Sequence, residues 1–540
     1  VQHFLTSVVL AIATYNRPSA RTSLHLATTR QAMGNTDGSE SRERSDGTTD
    51  DTVTLDLRAE VLPPRKVFWD PVHGQISLHP VSVAVIDTPE FQRLRHIRQL
   101  GHVAYLYPGA SNSRFEHSLG TAHLARLLGS HLRDCQPELK LSDKELLCLE
   151  LAGLCHDLGH GPFSHFWEHF YRRGARDRGL KPRWTHEAMS CKILAHLISV
   201  NGLDRTFNAW EAKWPGQGLT ADDVKFVQGL ILGDTNGVQA SRWFLFQVVN
   251  NRDSGLDVDK WDYYLRDCHA VGLACGFQFQ RLVGSARVVE HEGFTRIAFR
   301  DKELNNVYEM FRMRSTLHNN VYHHQMISIF EAMICDSLQL ADEKVASANG
   351  GGRLRLWWTT HEAGQPDASP QQVEAFVALT DAWVELSVRR ADAKQQPEVL
   401  RAQQLWRALE TRSRRPCPLY RFLGSVPKSD DGRVGSSEET LREAIMAALP
   451  EDVKPKAEDL VVDLVNIHWG CGKDDPVKKV LFYRKAEPDR ALRAEQLHVQ
   501  SSVLPSRFLD ARWHVLLRAP GKPGLDEHIG LCLKALEIQE

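Results

Sequence analysis

No apolar run in the chain approaches the roughly 20 residues of a membrane-spanning helix, so no membrane-embedded segment is expected. The mildly hydrophobic stretch from Phe4 to Ala13 has no basic region before it, which argues against a signal or an anchor. Cysteine is sparse. Ten in 540 residues, with neither zinc-finger spacing nor the density of a small disulfide scaffold, favour a reducing, intracellular setting. Net charge is also nearly absent: 66 Lys and Arg against 68 Asp and Glu leave −2. That balance excludes bulk attraction to nucleic acid or membrane and makes any polyanion site a local one. No internal repeat or sustained heptad is evident.

A chain this long can bury a large core as two or more domains, or as one helical body with appendages. Residues from about 14 to 62 are rich in Ser, Thr, Arg, Asp and Gly and poor in large apolar groups, so residues 1–62 read as a disordered arm. Order is expected to begin at Val67, with the alternation Gln75-Ile76-Ser77-Leu78-His79 marking a short hairpin. Helices follow at Glu90–Leu100, Leu119–Leu132, Asp143–Cys155, His186–Val200, Ala221–Ile231, Ser241–Val249, Asn305–Asp342, Gln371–Ser387 and Pro397–Glu410. Ser142 and Glu145 are placed for a capping box before the third of these. Asn349–Gly352 reads as a turn, and Val480–Tyr483 and His498–Ser502 read as strands. The fold class is therefore mainly α, with a short N-terminal β-hairpin and a smaller mixed α/β C-terminal lobe.

The densest chemistry lies in Leu-Cys-His-Asp-Leu-Gly-His-Gly-Pro-Phe-Ser-His, Leu154 to His165. Any one of 25 histidines is by default a surface or hydrogen-bonded core residue. Adjacent His156 and Asp157 at the end of an apolar helix, crowded by His160 and His165, fit that default poorly. His117 upstream and Asp259 downstream would complete a set of two imidazoles and two carboxylates, a donor set suited to iron, manganese or zinc. Neighbouring residues cannot share a helical face, so the helix must end at His156, and Gly159 and Gly161 make that break reasonable. His160, His165 and His186 are candidates for proton transfer, because imidazole titrates in the useful range. In Asp257-Val258-Asp259-Lys260-Trp261-Asp262-Tyr263, Asp259, Tyr263 and Asp267 fall on one helical face. Lys260, Arg114 and Arg314 with Tyr322 supply donors for phosphate.

These segments, with Ser113-Arg114-Phe115-Glu116-His117-Ser118-Leu119-Gly120 and Arg314 to His324, closely resemble the SAM and HD domain-containing deoxynucleoside triphosphate triphosphohydrolases of animals. The likeness is dense over Lys66 to Ala341 and looser from Phe376 to about Phe508. It implies an HD-domain helical catalytic core with the regulatory hairpin at 63–342 and a regulatory and oligomerisation region at 343–540. It also implies hydrolysis of a dNTP to deoxynucleoside and inorganic triphosphate. By this resemblance His117, His156, Asp157 and Asp259 bind one transition metal, iron or zinc or manganese, with Mg2+ near the phosphates. His160, His165 and His186 are the catalytic histidines, with His165 the leaving-group acid. Gln99, Leu100, Arg114, Lys260, Tyr263, Asp267, Arg314 and Tyr322 form the substrate pocket. The family is activated by GTP or dGTP at one site, matched by Lys66, Val67, Asp87, Gln92 and Arg95. A dNTP acts at a second site, matched by Arg281, Arg300, Lys302, His324 and Lys485. Activation assembles a dimer into a tetramer, and nuclear placement is implied, with the cytoplasm as a second location.

The chain departs from the family pattern in places. Trp69 stands where the family has asparagine, and Asn320 and Gln325 where it has basic residues. Arg412 to Pro418 interrupts the segment that supplies an activator-binding arginine. The first 65 residues have neither the length nor the apolar pattern of a SAM domain. Two other readings remain open from residues alone. An HD-type phosphodiesterase or nucleotidase would share the metal ligands, and a nucleotide-regulated single-stranded nucleic-acid binding protein would use only local basic grooves.

Overall fold

The computed structural model describes residues 62–345, 352–394, 396–411, 420–428, 435–497, 505, 507–518 and 525–537. The expected arm (all but Leu62), most of the Asn349–Gly352 turn, the interrupting segment Arg412–Pro418 and the strand expected at His498–Ser502 lie outside the described residues.

The hairpin forms as the alternation predicts. Lys66–Asp70 pairs antiparallel with Gly74–Leu78, Lys66 opposite Leu78 and Asp70 opposite Gly74. Gly74 closes the turn at φ +72°, a conformation in which a Cβ would be strained. Ile76 and Leu78 are buried, whereas Val67 and Trp69 are exposed.

The helical body is built around Arg114–Cys135 and Asp143–Cys155, which pack on each other and each start from a capping box, Ser113 with Glu116 and Ser142 with Glu145. Every residue of the second helix from Leu146 to Cys155 is buried, its one charge at Glu150 included, so this helix is rigidly held. Val258–Val271 packs against the first helix, and Gln325–Ala341 against Pro397–Glu410. A four-stranded sheet takes Arg287–His291 and Phe294–Arg300 from one half of the sequence and Leu481–Arg484 and Glu487–Leu492 from the other, joined by a parallel pairing of Arg300 with Tyr483. Leu509–Leu517 is the central strand of an antiparallel sheet, flanked by Arg421–Pro427 and Leu460–His468. That sheet shares a small separate core with the Glu438–Ala448 and Leu525–Glu537 helices, through Leu441, Ile445, Val515 and Ile529.

Three expected helices are broken and a fourth is a 3-10 helix, each for a reason visible in its contacts. Glu90–Leu100 is a short helix, Pro89–Gln92, and then a 3-10 turn, Arg93–His96. Buried Arg93 donates to the carbonyls of Leu158, His160 and Leu379, and the next backbone runs instead against 112–114, with Gln99 N–H on Asn112 O at 2.9 Å. Ser241–Val249 is a 3-10 helix, Ala240–Gln247, held against a strand where Ile297 N–H donates to Gln247 Oε1 at 2.8 Å. Asn305–Asp342 divides into Leu304–Leu317 and Gln325–Ala341 around a π turn at His318–Tyr322. His324 caps the second piece by accepting from Met326 N–H. Gln371–Ser387 divides into Pro370–Val377 and Asp381–Arg389, the latter capped by Thr380. Asp381 there accepts from the N–H groups of Arg98 at 3.0 Å and Phe163 at 2.7 Å.

Candidate active site

The apolar Asp143–Cys155 helix ends where the sequence requires it to, and His156 is its C-cap. The glycines act by close approach and not by a left-handed turn: a Cβ on Gly159 would lie 2.1 Å from His186 O and 2.4 Å from Ser190 N. This packing sets the His156-Asp157 corner against the start of the His186–Val200 helix. His117 comes from the first turn of Arg114–Cys135, and Asp259 from the first turn of Val258–Val271.

His117, His156 and Asp157 present ligand atoms that all lie within 4.8 Å of one another. Asp259 Oδ1 approaches both imidazoles, at 3.1 Å from His117 Nε2 and 3.3 Å from His156 Nε2. His117 Nδ1 lies 2.7 Å from Asp262 Oδ2, and His156 Nδ1 lies 2.8 Å from Gly153 O. Both acceptors fix the proton on Nδ1, so the two Nε2 lone pairs face each other at 3.2 Å. Facing lone pairs beside two carboxylates need a cation between them, and nitrogen with oxygen donors suits a transition metal. In the bare protein a proton takes that part. Burial opposes charge on His117, but hydrogen bonds to Asp259 and Asp262 outweigh it and push its pKa up to about 10. Burial also works against the Asp157 carboxylate, yet Arg114, 2.6 Å away, with His156 and His160 holds it well below the usual range.

Beside this cluster, His160, His165 and His186 meet around a residue that the sequence reading passed over, Glu168. His186 Nδ1 is 2.6 Å and His165 Nδ1 3.5 Å from Glu168 Oε1. The His160 and His186 rings stack with centroids 4.1 Å apart. Burial disfavours charge on His186, but the Glu168 hydrogen bond raises its pKa, while burial, Arg114 and His186 lower that of His160. Glu168 is itself held ionised, its burial outweighed by hydrogen bonds to His165 and His186. Two stacked imidazoles thus differ in proton affinity, His186 holding a proton more readily than His160. His165 opens its helix just after two residues in the left-handed region, Phe163 (φ 61°) and Ser164 (φ 62°). Such conformations cost on the order of 1–3 kcal/mol each for a residue with a Cβ. They are held by Phe163 N–H on Asp381 and by Ser164 Oγ, which donates to Arg98 O and accepts from Arg114 Nε. The spacing of His165 and Glu168, three apart on a helix, was the available sequence signal.

A cavity of about 510 Å³ opens over both clusters, and all of the substrate residues expected from the sequence line it: Gln99, Leu100, Arg114, Lys260, Tyr263, Asp267, Arg314 and Tyr322. Lys260 Nζ is held by buried Asp257 at 2.8 Å, and Arg314 donates to Tyr263 Oη at 3.3 Å and to His468 O at 3.1 Å. Tyr322 Oη donates to Asp267 Oδ2 at 2.7 Å, and burial, opposed by that bond, pushes the Asp267 pKa up to about 6. Gln99 Oε1 and Asp267 Oδ1 are buried with no protein partner, so the cavity holds acceptors that await a donor. His318, His323 and Glu331 also line it and were not foreseen. His318 and His323 sit at or just beyond the π turn, which contains no helix breaker, and Glu331 lies in the second turn of the Gln325–Ala341 helix.

The residues expected at the activator sites lie on the outside. Lys66 Nζ pairs with Asp87 at 3.6 Å, and Arg95 donates to Gln92 and covers the Phe115 ring, so these residues with exposed Val67 make one surface group. Trp69, on the same strand, is 80% exposed. In the second group Arg281 is held by Glu303 at 2.9 Å and Lys302 adjoins Arg300. Lys485 follows the strand whose Tyr483 pairs with Arg300. His324 belongs to a different element, the cap of Gln325–Ala341.

Comparison with known proteins agrees with this layout. An HD domain model matches residues 114–213, the segment that carries His117, His156, Asp157 and the three further histidines. The chain is 36% identical over 460 residues to the deoxynucleoside triphosphate triphosphohydrolase SAMHD1 of Homo sapiens, covering 82% of this chain and 69% of that protein. The Gallus gallus protein is 38% identical over 463 residues, 82% and 70% of the two chains. The Dictyostelium discoideum SAMHD1 homolog is 30% identical over 457 residues, 85% and 78%.

Proposed function

The chain belongs to the SAMHD1 family of deoxynucleoside triphosphate triphosphohydrolases, and on that premise we propose that it hydrolyses dNTPs to deoxynucleoside and inorganic triphosphate under nucleotide activation. One observation carries the reading. A single cavity brings two metal-ligating carboxylates, a triad of histidines, three cationic side chains and two unpartnered acceptors together from separated segments.

In this reading His117, His156, Asp157 and Asp259 would hold one transition metal, iron, zinc or manganese, with Mg2+ near the phosphates. The bound metal supplies Lewis-acid charge and lowers the pKa of water towards neutrality. The chain does the rest. Lys260 and Arg314 neutralise the triphosphate, Lys260 as a point charge and Arg314 as a planar fork. Arg114 spends its guanidinium on Asp157 and Ser164, so it orients the centre as well as facing substrate. Gln99 Oε1 and Asp267 Oδ1 take the sugar hydroxyl, with Leu100 and Tyr322 closing the pocket around the ring. Water adds to the α phosphorus and gives up a proton as the bond to the 5′ oxygen breaks, and that departing oxygen needs a proton. His165 delivers it, and Glu168 orients the His165 ring and ties it to His186, a second proton carrier beside the acid.

The surface groups take the activators in this proposal. GTP or dGTP sits at Lys66, Val67, Asp87, Gln92 and Arg95, and a dNTP sits at Arg281, Arg300, Lys302, His324 and Lys485. Their binding drives a dimer to a tetramer through the region 343–540, in the nucleus and the cytoplasm. The deciding assay incubates dGTP with Mg2+ and GTP and identifies the phosphate product. Triphosphate with deoxyguanosine supports the reading; pyrophosphate or orthophosphate in its place would assign the cavity to phosphodiesterase or nucleotidase chemistry.

A further inference from the structure

Behind His117 lies a buried charge network that the ligand set and the cavity do not use. Asp262 is fully buried on the Val258–Val271 helix. Its Oδ2 is 2.7 Å from His117 Nδ1, and its Oδ1 is 2.6 Å from His73 Nε2. Arg266 closes on the same carboxylate, with Nε 2.9 Å from Oδ2 and Nη2 3.0 Å from Oδ1. The third nitrogen of Arg266 reaches Asp70 Oδ2 at 2.8 Å. Asp70 and His73 bracket the turn of the hairpin, and Asp70 Oδ1 accepts from the N–H groups of Val72 and His73, both at 2.9 Å. One carboxylate therefore shapes the turn with one oxygen and joins the network with the other.

The packing leaves no slack. A Cβ on Gly120, one helical turn after His117, would lie 1.8 Å from Asp262 Oδ1 and 2.6 Å from Arg266 Nη2. His73 Nδ1 is buried without a partner, which places the ring proton on Nε2, where it donates to Asp262. His73 is also wedged between His123 and Phe279, each ring centroid 5.6 Å away. Two carboxylates and one guanidinium leave a net negative charge behind His117. That charge holds its proton on Nδ1 and raises the electron density at Nε2, the nitrogen that faces the other ligands.

We propose that Asp262 is a positioning residue for the metal centre, and that the hairpin turn, through His73 and Asp70, sets how firmly Asp262 holds His117. Cation affinity at the centre then depends on how the hairpin is seated. The inference rests on the reading of His117 as a ligand. It gives the hairpin a physical route inward: the strand that ends in buried Asp70 also carries exposed Lys66 and Trp69.

The test uses the whole 540-residue chain stripped of metal and Zn2+ alone as probe, with affinity measured by competition against a chromophoric chelator. Asp262→Asn is preferred to alanine, which would strand Arg266 in the interior. It is expected to weaken Zn2+ binding by about 10-fold to 100-fold, the usual effect of losing a partner behind a ligand. His73→Gln is expected to weaken it by about 3-fold to 10-fold, and the double variant by less than the product of the two, as coupled neighbours do. Zn2+ affinity unchanged in Asp262→Asn overturns the positioning role. Unchanged affinity in His73→Gln, or strictly multiplicative effects, overturns the hairpin link. A purely structural defect would lower the Tm of the metal-free protein and leave the Zn2+-induced Tm shift intact, which also counts against the proposal. His117→Ala separates the two readings, because retained affinity there would remove the ligand assignment itself.

Discussion

The cavity and the two outer groups proposed for nucleotides are built on opposite principles. In the cavity, side chains from the segments around 99, 114, 157, 260 and 314 converge, and their charges are committed to internal partners: Arg114 to Asp157, Lys260 to Asp257, Glu168 to His186. On the outside, Lys66 and Asp87 pair at 3.6 Å with side chains 49% and 58% exposed, and such pairs contribute about 0–1 kcal/mol. A preorganised interior tolerates little change, because each removed partner leaves a buried group unsatisfied. A surface pair can be surrendered to a ligand at small cost. The same contrast separates an interior whose substitutions disturb the fold from a surface whose substitutions leave it standing.

The comparison breaks most visibly at Asp157. Asp157→Ala removes a proposed metal ligand and leaves Arg114 buried without its ion-pair partner. Loss of bound metal and of turnover by about 10³-fold or more is expected, checked by metal analysis and by triphosphate release. Retained activity would take Asp157 out of the centre. Glu168→Gln comes next. It keeps the shape but removes the charge that holds His186 and orients His165, so kcat should fall by about 10²-fold and the basic limb of the pH profile should move to lower pH. An unchanged profile would make Glu168 a packing residue only.

Much of this site was legible in the sequence because metal and phosphate chemistry restricts residue types. His156-Asp157 at the end of an apolar helix, and Asp259, Tyr263 and Asp267 at helical spacing, announce themselves. Glu168 did not, although its spacing from His165 was visible, because an isolated acid on an amphipathic helix is ordinary. Asp262 read as one more charge in an acidic helix; its role depends on His73 and Gly120, 189 and 142 residues away by number, and no local pattern reveals that. The broken helices were missed for the same reason. Arg93 and Asp381 are unremarkable residues until their long-range backbone partners are known, and the π turn at His318–Tyr322 contains no breaker.

A smaller effect follows from pH. The folded-state pKa of His186 is raised above 6.5 and that of Glu168 is held below 4.5. The histidine's contribution to stability is fully present below pH 6.5 and is lost as pH rises through its folded value; the glutamate's is present above 4.5 and is lost as pH falls through its depressed one. Metal-free protein should therefore lose stability as pH rises above 6.5, in part through His186 and in part through His117, whose pKa is also raised, read from urea midpoints. Glu168→Gln should flatten that slope, and an equal slope in both proteins would place the titration elsewhere.

The smallest expected effect is the sharpest test of the outer group. Trp69 exposes 80% of its surface beside Val67 and Lys66, where the family resemblance puts asparagine. A bulky indole there restricts polar contacts between the hairpin and a nucleotide, so Trp69→Asn should lower the half-activating GTP concentration by less than about tenfold, near 1 kcal/mol. Turnover without GTP and Zn2+ affinity should not move, because Trp69 points outward while Asp70, the next residue, carries the inward connection. If GTP dependence is also unmoved, the strand does not touch the activator, and the Lys66–Asp87 pair is an ordinary surface contact. If Zn2+ affinity changes with it, the outer face of the hairpin is not independent of the centre, and the division between a fixed interior and a yielding surface fails at this strand.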